Sequence, residues 1–210
     1  MREGFPEEEA PLVEIGNLIF PRHSREIEDE LLSAGIRRAY SLGSTVLGKY
    51  RVLGKGKTGV VVLTEDLLAL KIRRVDSPKE SMEFEARMQI RAGDVAPRVI
   101  NYGRNFILME YVRGRHLDYR ESPETILDLI GRAFSLERVN LEHRELVHPW
   151  KNVLVTRNRT YILDYDSVSI KERAYNVNKI LNAFNLHDLA KAYKKGEMGL
   201  EELTRRILTS

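Results

Sequence analysis

Hydrophobic residues occur in short runs as far as about residue 112 and at helical spacing after it. The short runs are rich in β-branched residues and bounded by turn residues, which predicts strands. These predicted strands cover residues 12–20, 50–53, 60–64, 67–73, 98–102 and 105–110. Two later runs, 152–156 and 160–163, predict a hairpin that turns through residues 157–159.

Helical spacing predicts helices over residues 25–34, 78–92 and 122–140, and helical stretches within 171–210 that break at 196–199. Ser24 can cap the first of these helices and Gly35 can end it, while Pro78 can begin the second. A strand-rich half with one helix is thus followed by a helix-rich half with one hairpin. This order predicts an α+β chain with two lobes.

The composition allows a substantial core and excludes several classes of protein. Hydrophobic residues make up 42% of the 210 residues, and no run approaches the ~18 uncharged apolar residues of a membrane span. Residues 1–10 lack the apolar core of a secretory signal, and there is no cysteine. We therefore expect a cytoplasmic protein with no membrane partner. The charged fraction of 31%, together with the absence of cysteine, is typical of thermophiles.

The charge is distributed unevenly along the chain. Residues 1–30 carry nine acidic and three basic side chains, so the rest of the chain carries a net charge of +9 although the total is +3. A body with this charge can attract a polyanion, and it is also compatible with nucleotide binding. The acidic segment 1–11 contains prolines, and we expect it to be frayed.

A glycine-rich turn at residues 54–59, with the sequence GKGKTG, separates two predicted strands. Glycine lets a backbone approach phosphate oxygens closely and adopt a positive φ. A strand rather than a helix follows the turn, which disfavours a dinucleotide-binding fold. A purely structural hairpin turn is the alternative to a phosphate-binding loop.

Lys71 lies inside an otherwise apolar predicted strand. A lysine in such a position has to be neutralised by an anion. A phosphate and a carboxylate of the next predicted helix would serve, with Glu85 as the first choice and Glu83 as the second. A solvated helix face is the alternative interpretation of these acids.

A third group of polar residues surrounds the later hairpin. The sequence HREL at residues 143–146 follows the long predicted helix, Asn152 begins the hairpin, and Asp164 and Asp166 end it. A buried strand that ends in two acids offers the carboxylate oxygens that a hard cation prefers. A simple turn is the alternative.

In this order the motifs resemble those of protein-kinase-like enzymes: a glycine loop, a lysine-bearing strand, an HRDL…N loop and a DFG element. The chain looks similar to atypical kinases of the RIO and Bud32 type. The resemblance implies a two-lobed fold, with residues 1–48 as an N-terminal extension, 49–112 as the N-lobe and 113–210 as a reduced C-lobe. This minimal C-terminal lobe would be mostly helical and would lack the activation segment and the A-P-E region.

The resemblance also implies ATP and Mg²⁺ as cofactors and assigns roles to particular residues. Lys71 and Glu85 would align the phosphates, and Glu145 would orient or deprotonate the acceptor hydroxyl. Asn152 and Asp164 would hold the metal. The implied nucleotide contacts are Gly54, Lys55, Gly56, Lys57, Gly59, Val61, Ala69, Lys71, Glu85, Met109 as the gatekeeper, Glu110 and Val112.

One spacing departs from the kinase pattern. Six residues separate Glu145 from Asn152, whereas the pattern leaves four between the catalytic acid and the asparagine. Counted back from Asn152, the catalytic position falls on Val147, which can do no acid–base chemistry. We place the role on Glu145 and note His148 as another polar group in the same loop.

The segment after Asp166 is short and basic, with eight basic and five acidic side chains in residues 167–210. We expect it to lack the parts that dock a peptide in ordinary protein kinases. Trp150, the only tryptophan, lies among cations in the catalytic loop, where it could stack a base. The RNA-binding candidates are Trp150, Lys151, Lys171 and Arg173, with ordinary packing and a solvated helix face as the alternatives.

Segment 143–154 and the short C-terminal part resemble a compact archaeal family that was formerly labelled as serine/threonine kinases. That family is associated with phosphorylating the 2′-hydroxyl of a tRNA uridine in the variable loop. The resemblance implies tRNA as the acceptor, and we expect a monomer. Two alternatives remain open: a RIO-like Ser/Thr protein kinase, and a nucleotide-binding regulatory pseudokinase.

Overall fold

The computed structural model describes residues 10–209, so most of the acidic segment that we expected to be frayed lies outside the described residues. These residues form a mixed α+β structure with antiparallel sheets and six α-helices. The chain divides into two compact units. The first holds the described residues up to Ala86 together with Val99–Tyr111, and the second holds Arg87–Arg98 and the described residues from Val112 onward.

The strands of the first unit are β1 (Leu12–Glu14), β2 (Arg38–Tyr40), β3 (Thr45–Leu47), β4 (Tyr50–Val52), β5 (Gly54–Lys55), β6 (Gly59–Thr64), β7 (Leu68–Arg73), β8 (Val99–Tyr102) and β9 (Phe106–Glu110). Its helices are α1 (Arg25–Ser33) and the first turn of α2 (Glu83–Ala92). The strands of the second unit are β10 (Arg115–His116), β11 (Leu141–His143), β12 (Val153–Val155), β13 (Thr160–Ile162) and β14 (Val168–Ile170). Its remaining helices are α3 (Pro123–Arg138), α4 (Asn176–Ala183), α5 (His187–Lys195) and α6 (Leu200–Leu208).

Most of the sequence-predicted elements are confirmed to within two residues at each end. The cap of α1 is also confirmed, because the Ser24 hydroxyl accepts from the backbone amide of Ile27 and Gly35 adopts a φ of 82° just after the helix. The break at 196–199 separates α5 from α6. None of the helices within residues 10–209 combines the length and apolar character needed to span a bilayer.

The strand predicted over residues 12–20 is wrong beyond Glu14. A 3₁₀ turn, Ile15–Leu18, follows β1 directly. This turn brings Ile15 and Leu18, three positions apart, to the same side, and both are buried in the core. A continuous strand would have pointed these two side chains to opposite faces.

Helix α2 begins at Glu83, so the predicted start at Pro78 is also wrong. The preceding backbone is bonded elsewhere: the Met82 amide donates to the Arg104 carbonyl at 2.8 Å, and the Arg104 side chain donates to the Glu80 carbonyl at 3.3 Å. These tertiary bonds occupy groups that an earlier helix start would have needed.

The main sheet of the first unit has the order β1-β2-β6-β7-β9-β8, with β5 paired to β6. Directly opposed residues, and residues two apart on one strand, share a face. One face is buried against α1 in a core that includes Val60, Val62, Leu70, Ile72 and Phe106. The opposite face carries Lys71 and Ile107, and Ile107 packs against Ala86 of α2.

The core of the second unit forms around α3, whose residues Leu129, Ile130, Ala133 and Leu136 are fully buried. Near the end of α3, the carboxylate of Glu137 accepts from the Val177 amide at 2.8 Å and from the Tyr193 hydroxyl at 3.0 Å. One side chain therefore joins α3 to α4 and α5. Burial raises the pKa of Glu137 above its ordinary value of 4.5.

We expect the free energy of unfolding of Glu137→Gln to increase relative to that of wild type as the pH rises above 4.5. Both hydrogen bonds can survive the change, because the Tyr193 hydroxyl can accept instead of donate. The stability from a group whose folded pKa is raised is fully present below the unfolded pKa and is lost as the pH rises through the folded pKa. Gln has no such ionisation.

Urea unfolding over a series of pH values checks this, with the exposed Glu172→Gln as the matched control. A stability difference between Glu137→Gln and wild type that does not change with pH would contradict the expectation.

Candidate functional site

The glycine-rich turn links β5 to β6, and it closes where the Gly56 amide donates to the Gly59 carbonyl at 2.9 Å. None of its three glycines has a positive φ, so that part of the expectation is wrong for this turn. The structure requires glycine here for space. A Cβ on Gly59 would lie 3.0 Å from the Ile72 carbonyl oxygen and 3.0 Å from the Lys71 Cγ.

The backbone on the other side of the turn is open. A Cβ on Gly54 would meet no atom within 4 Å in the described part of the chain, and one on Gly56 would meet only the Gly59 carbonyl at 3.9 Å. Lys55 and Lys57 are exposed on the same turn. The turn therefore combines an accessible backbone with two cations, a combination that suits an anionic ligand.

Phe20, in the N-terminal segment, packs against the glycine-rich turn through two cations. The Lys55 ammonium lies 4.8 Å and the Arg74 guanidinium 5.0 Å from the centre of the Phe20 ring. The Arg74 side chain also donates to the Gly56 carbonyl at 2.9 Å, and its amide donates to the Thr58 carbonyl at 2.9 Å. Sequence reasoning missed Phe20 and Arg74, because no motif marks either residue.

Lys71 and Glu85 form the buried ion pair that the sequence predicts. The Lys71 ammonium donates to a Glu85 carboxylate oxygen at 2.6 Å, and the two side chains are only 10% and 7% exposed. Glu83, the second choice, is exposed. Glu85 is therefore the carboxylate that neutralises Lys71, and α2 is oriented by its first turn toward β7.

The sheet face that bears Lys71 also carries other residues that are predicted to contact the nucleotide. Met109 lies opposite Ala69, and Val61 lies opposite Lys71. The face thus carries a cation beside a small residue and a methionine, and Glu110 follows at the end of β9. Val112 belongs to the second unit.

In the second unit, three carboxylates converge after β13. One carboxylate oxygen from each of Glu145, Asp164 and Asp166 lies within 4.8 Å of the others. Asp164 adopts a left-handed backbone conformation, with φ 65° and ψ 79°. A non-glycine residue in this region costs about 1–3 kcal/mol, and such residues cluster at functional sites. An oxygen-rich cluster of this kind fits a hard divalent cation such as Mg²⁺.

Asn152 joins this cluster directly, because its side-chain amide donates to the Glu145 carboxylate at 2.5 Å. Glu145, Val147 and His148 are the three loop positions at which a catalytic group was sought. Within the described residues, only Glu145 lies close to both Asn152 and Asp164. Val147 and His148 are exposed and line a separate depression.

The backbone around Asp164 is fixed by bonds to Leu163. The Leu163 amide donates to the Asn152 carbonyl at 2.8 Å, and the His143 Nε2 lies 2.9 Å from the Leu163 carbonyl. Burial lowers the pKa of His143, which keeps its imidazole neutral. Its proton must lie on Nε2 to bond a carbonyl, and Nδ1 is buried without a partner in the described residues.

Asn176, which is fully buried, holds the strand that carries His143. Its side-chain oxygen accepts from the His143 amide at 2.9 Å, and its side-chain amide donates to the Leu141 carbonyl at 2.6 Å. Nothing in the sequence pattern indicated this role.

The four RNA-binding candidates differ in their surroundings. Trp150 packs edge-to-face on Phe184, with ring centres 5.4 Å apart. The Lys171 ammonium lies 2.6 Å from Glu142, a carboxylate that it shares with Lys179, so its charge is only partly compensated. Lys151 and Arg173 are exposed and form no ion pair within residues 10–209.

Comparison of the sequence with models of known protein families gives no match, and no curated protein matches it significantly.

Replacing Phe20 with Leu should loosen the glycine-rich turn, because it removes the ring face beneath Lys55 and Arg74 while keeping apolar bulk. Each cation–π contact is worth about 0.5–1 kcal/mol at an exposed site. Amide hydrogen exchange at Gly56 and Arg74 should accelerate by roughly tenfold. Phe20→Tyr keeps the ring and should exchange like wild type. Equal exchange rates in Phe20→Leu and wild type would remove Phe20 from this role.

Replacing Asn176 with Ala should lower the unfolding free energy by about 2–4 kcal/mol, because it leaves two buried backbone groups of β11 without partners. Urea denaturation measures the loss. The exposed Asn158→Ala should stay within about 0.5 kcal/mol of wild type. A loss below about 1 kcal/mol in Asn176→Ala would show that β11 is held by other contacts.

Proposed function

We propose that this chain is an ATP-dependent kinase with a two-lobed, kinase-like fold, and that it transfers the γ-phosphate to a hydroxyl of tRNA. The observation that carries the proposal is the Lys71–Glu85 pair, a buried amine on a strand held at 2.6 Å by a helix carboxylate. Protein-kinase catalysis requires such a pair to align the nucleotide phosphates.

The first unit would bind the nucleotide. The open backbone at Gly54 and Gly56 allows phosphate oxygens to approach, and the Phe20 contacts limit the freedom of the turn. Gly59 lets the turn lie close to Lys71. The adenine would contact the sheet face that bears Ala69 and Met109, with Val61 as a further apolar contact and backbone groups at Glu110 as hydrogen-bonding partners.

The second unit would carry the acceptor chemistry. Asp164 and Asn152 are the residues proposed to hold Mg²⁺, and the proximity of Asp166 makes it a third candidate ligand. Bound there, the cation would neutralise phosphate charge as it develops. Glu145 would accept the proton of the attacking hydroxyl while the bond from the γ-phosphorus to the ADP oxygen breaks. The Asn152 amide fixes the carboxylate of Glu145 for this role.

The choice of tRNA as acceptor is supported by the basic charge of residues 167–210 and by Trp150 in the catalytic loop. The resemblance to the archaeal family narrows the acceptor to a 2′-hydroxyl, most simply that of a uridine in the variable loop. A phosphate on this hydroxyl removes the nucleophile by which RNA cleaves its own backbone. That protection would benefit a thermophile, which the composition also suggests.

The test is incubation with γ-labelled ATP, Mg²⁺ and either total tRNA or casein, followed by ribonuclease digestion. Label in an RNA fragment that resists cleavage at one linkage supports a 2′-phosphate. Asp164→Asn should lower the transfer rate by at least about a hundredfold, because a metal ligand supplies several kcal/mol of transition-state stabilisation. Asp66→Asn, an exposed change in the turn between β6 and β7, is the matched control and should leave the rate unchanged.

Three outcomes would overturn parts of the proposal. Label found only in casein or in the protein itself would favour the RIO-like protein kinase. ATP binding without transfer to any acceptor would favour the regulatory pseudokinase. Undiminished transfer by Asp164→Asn would refute the metal assignment.

A further inference from the structure

A concave surface lies in the same unit as Glu145, and no step of the proposed phosphate transfer uses it. This base pocket has a volume of about 370 Å³ and is lined by Val147, His148, Trp150, Lys179, Asn182 and Ala183. Its size falls in the range of small-molecule sites. One wall comes from the two 3₁₀ turns of the loop after Glu145, and the other comes from α4.

The lining combines an aromatic ring with hydrogen-bonding side chains. Phe184 holds Trp150 edge-to-face, which fixes the orientation of the indole ring. Val147, 50% exposed, adds apolar surface, while Asn182 and His148 add an amide and an imidazole. Unpaired nucleobases are recognised in this way, by stacking on an aromatic ring and by hydrogen bonds to their edges.

The charges around the base pocket favour a polyanion. Among residues 10–209, no acidic side chain lines it. Arg144 and Lys151, on the same two turns, are exposed and form no ion pair in the described part of the chain. The Lys179 amine lies 3.4 Å from Glu142 and 3.0 Å from the His143 carbonyl, so its charge is partly compensated. Arg144 and Lys151 are therefore the cations left for phosphates.

We infer that the base pocket holds one unpaired nucleobase of the RNA acceptor, next to the nucleotide whose hydroxyl reacts. This inference rests on the proposed function for its acceptor. Its geometric basis is that the base pocket and the proposed catalytic residue share one 3₁₀ turn, because Val147 ends the turn that also contains Glu145. A flanking base seated against Trp150 would then set which hydroxyl reaches Glu145.

The protein provides its own probe, because Trp150 is the only tryptophan in the chain. A base stacked on Trp150 should quench its fluorescence. We expect a short oligouridylate to quench the emission, and an abasic ribose-phosphate oligomer of the same length to leave it nearly unchanged. Equal quenching by both oligomers would overturn the inference, because phosphate binding alone would then explain the signal.

Ala183→Leu fills the base pocket without replacing Trp150 or a charged residue, and Ala183→Ser is its matched control. The Kd for the oligouridylate should rise by about tenfold in Ala183→Leu, which is the scale of losing one stacked base. Should Ala183→Leu fail to fold, Val147→Glu at the exposed rim replaces it, with Val46→Glu as the control in the other unit. An unchanged Kd in the folded variant would overturn the inference.

The combined outcomes of the quenching and transfer assays distinguish a failure of this inference from a failure of the proposed function. Quenching by the oligouridylate but not the abasic oligomer, without phosphoryl transfer to tRNA, would retain the base pocket and refute the kinase assignment. Transfer to tRNA that Ala183→Leu leaves unchanged would retain the kinase and overturn the base pocket. Quenching by free AMP that is as strong as quenching by the oligouridylate would assign the pocket to a mononucleotide and overturn the inference.

Discussion

The candidate site of the second unit depends on how the backbone of Leu163 is held. Its amide donates to Asn152, and its carbonyl accepts from the buried imidazole of His143. With both groups fixed at the end of β13, the reversal of the chain falls on the next residue. Asp164 therefore adopts the left-handed conformation, which aspartate tolerates better than most residues. The reversal brings its carboxylate to those of Glu145 and Asp166.

The energy that maintains this turn comes from the core of the unit. Asn176 fixes the backbone of β11, which positions His143 to bond the Leu163 carbonyl. Tyr165 is fully buried and packs edge-to-face on the His143 ring, with ring centres 5.4 Å apart. The left-handed residue is over-determined by these contacts, and the cost of its conformation is offset by burial elsewhere. In the first unit, packing also restricts a backbone position of the candidate site. Gly59 lies so close to Lys71 that a side chain there would crowd it.

The sequence predicted local elements well because their signals are local. Strand runs, the Ser24 cap and the helical stripe of α3 depend on neighbours within a few residues. It failed where distant contacts decide: Arg104 delays the start of α2, and Ile15 must share a buried side with Leu18. Among the site residues, Lys71 and Glu85 could be paired from a charge in an apolar strand. Phe20 and Asn176 could not, since a phenylalanine and an asparagine carry no pattern that indicates a distant partner.

The irregular spacing between Glu145 and Asn152 has a structural explanation. The chain leaves Glu145 in one 3₁₀ turn, Arg144–Val147, and then forms a second, Pro149–Lys151. Proline at the start of the second turn has its φ already set for it. The second turn returns the chain, so that the Asn152 amide still reaches the Glu145 carboxylate. The same turn carries Trp150 into the wall of the base pocket. The two extra residues that disturb the kinase pattern are thus part of the feature that builds the pocket, and a shorter loop would have no second turn on which to present an aromatic ring.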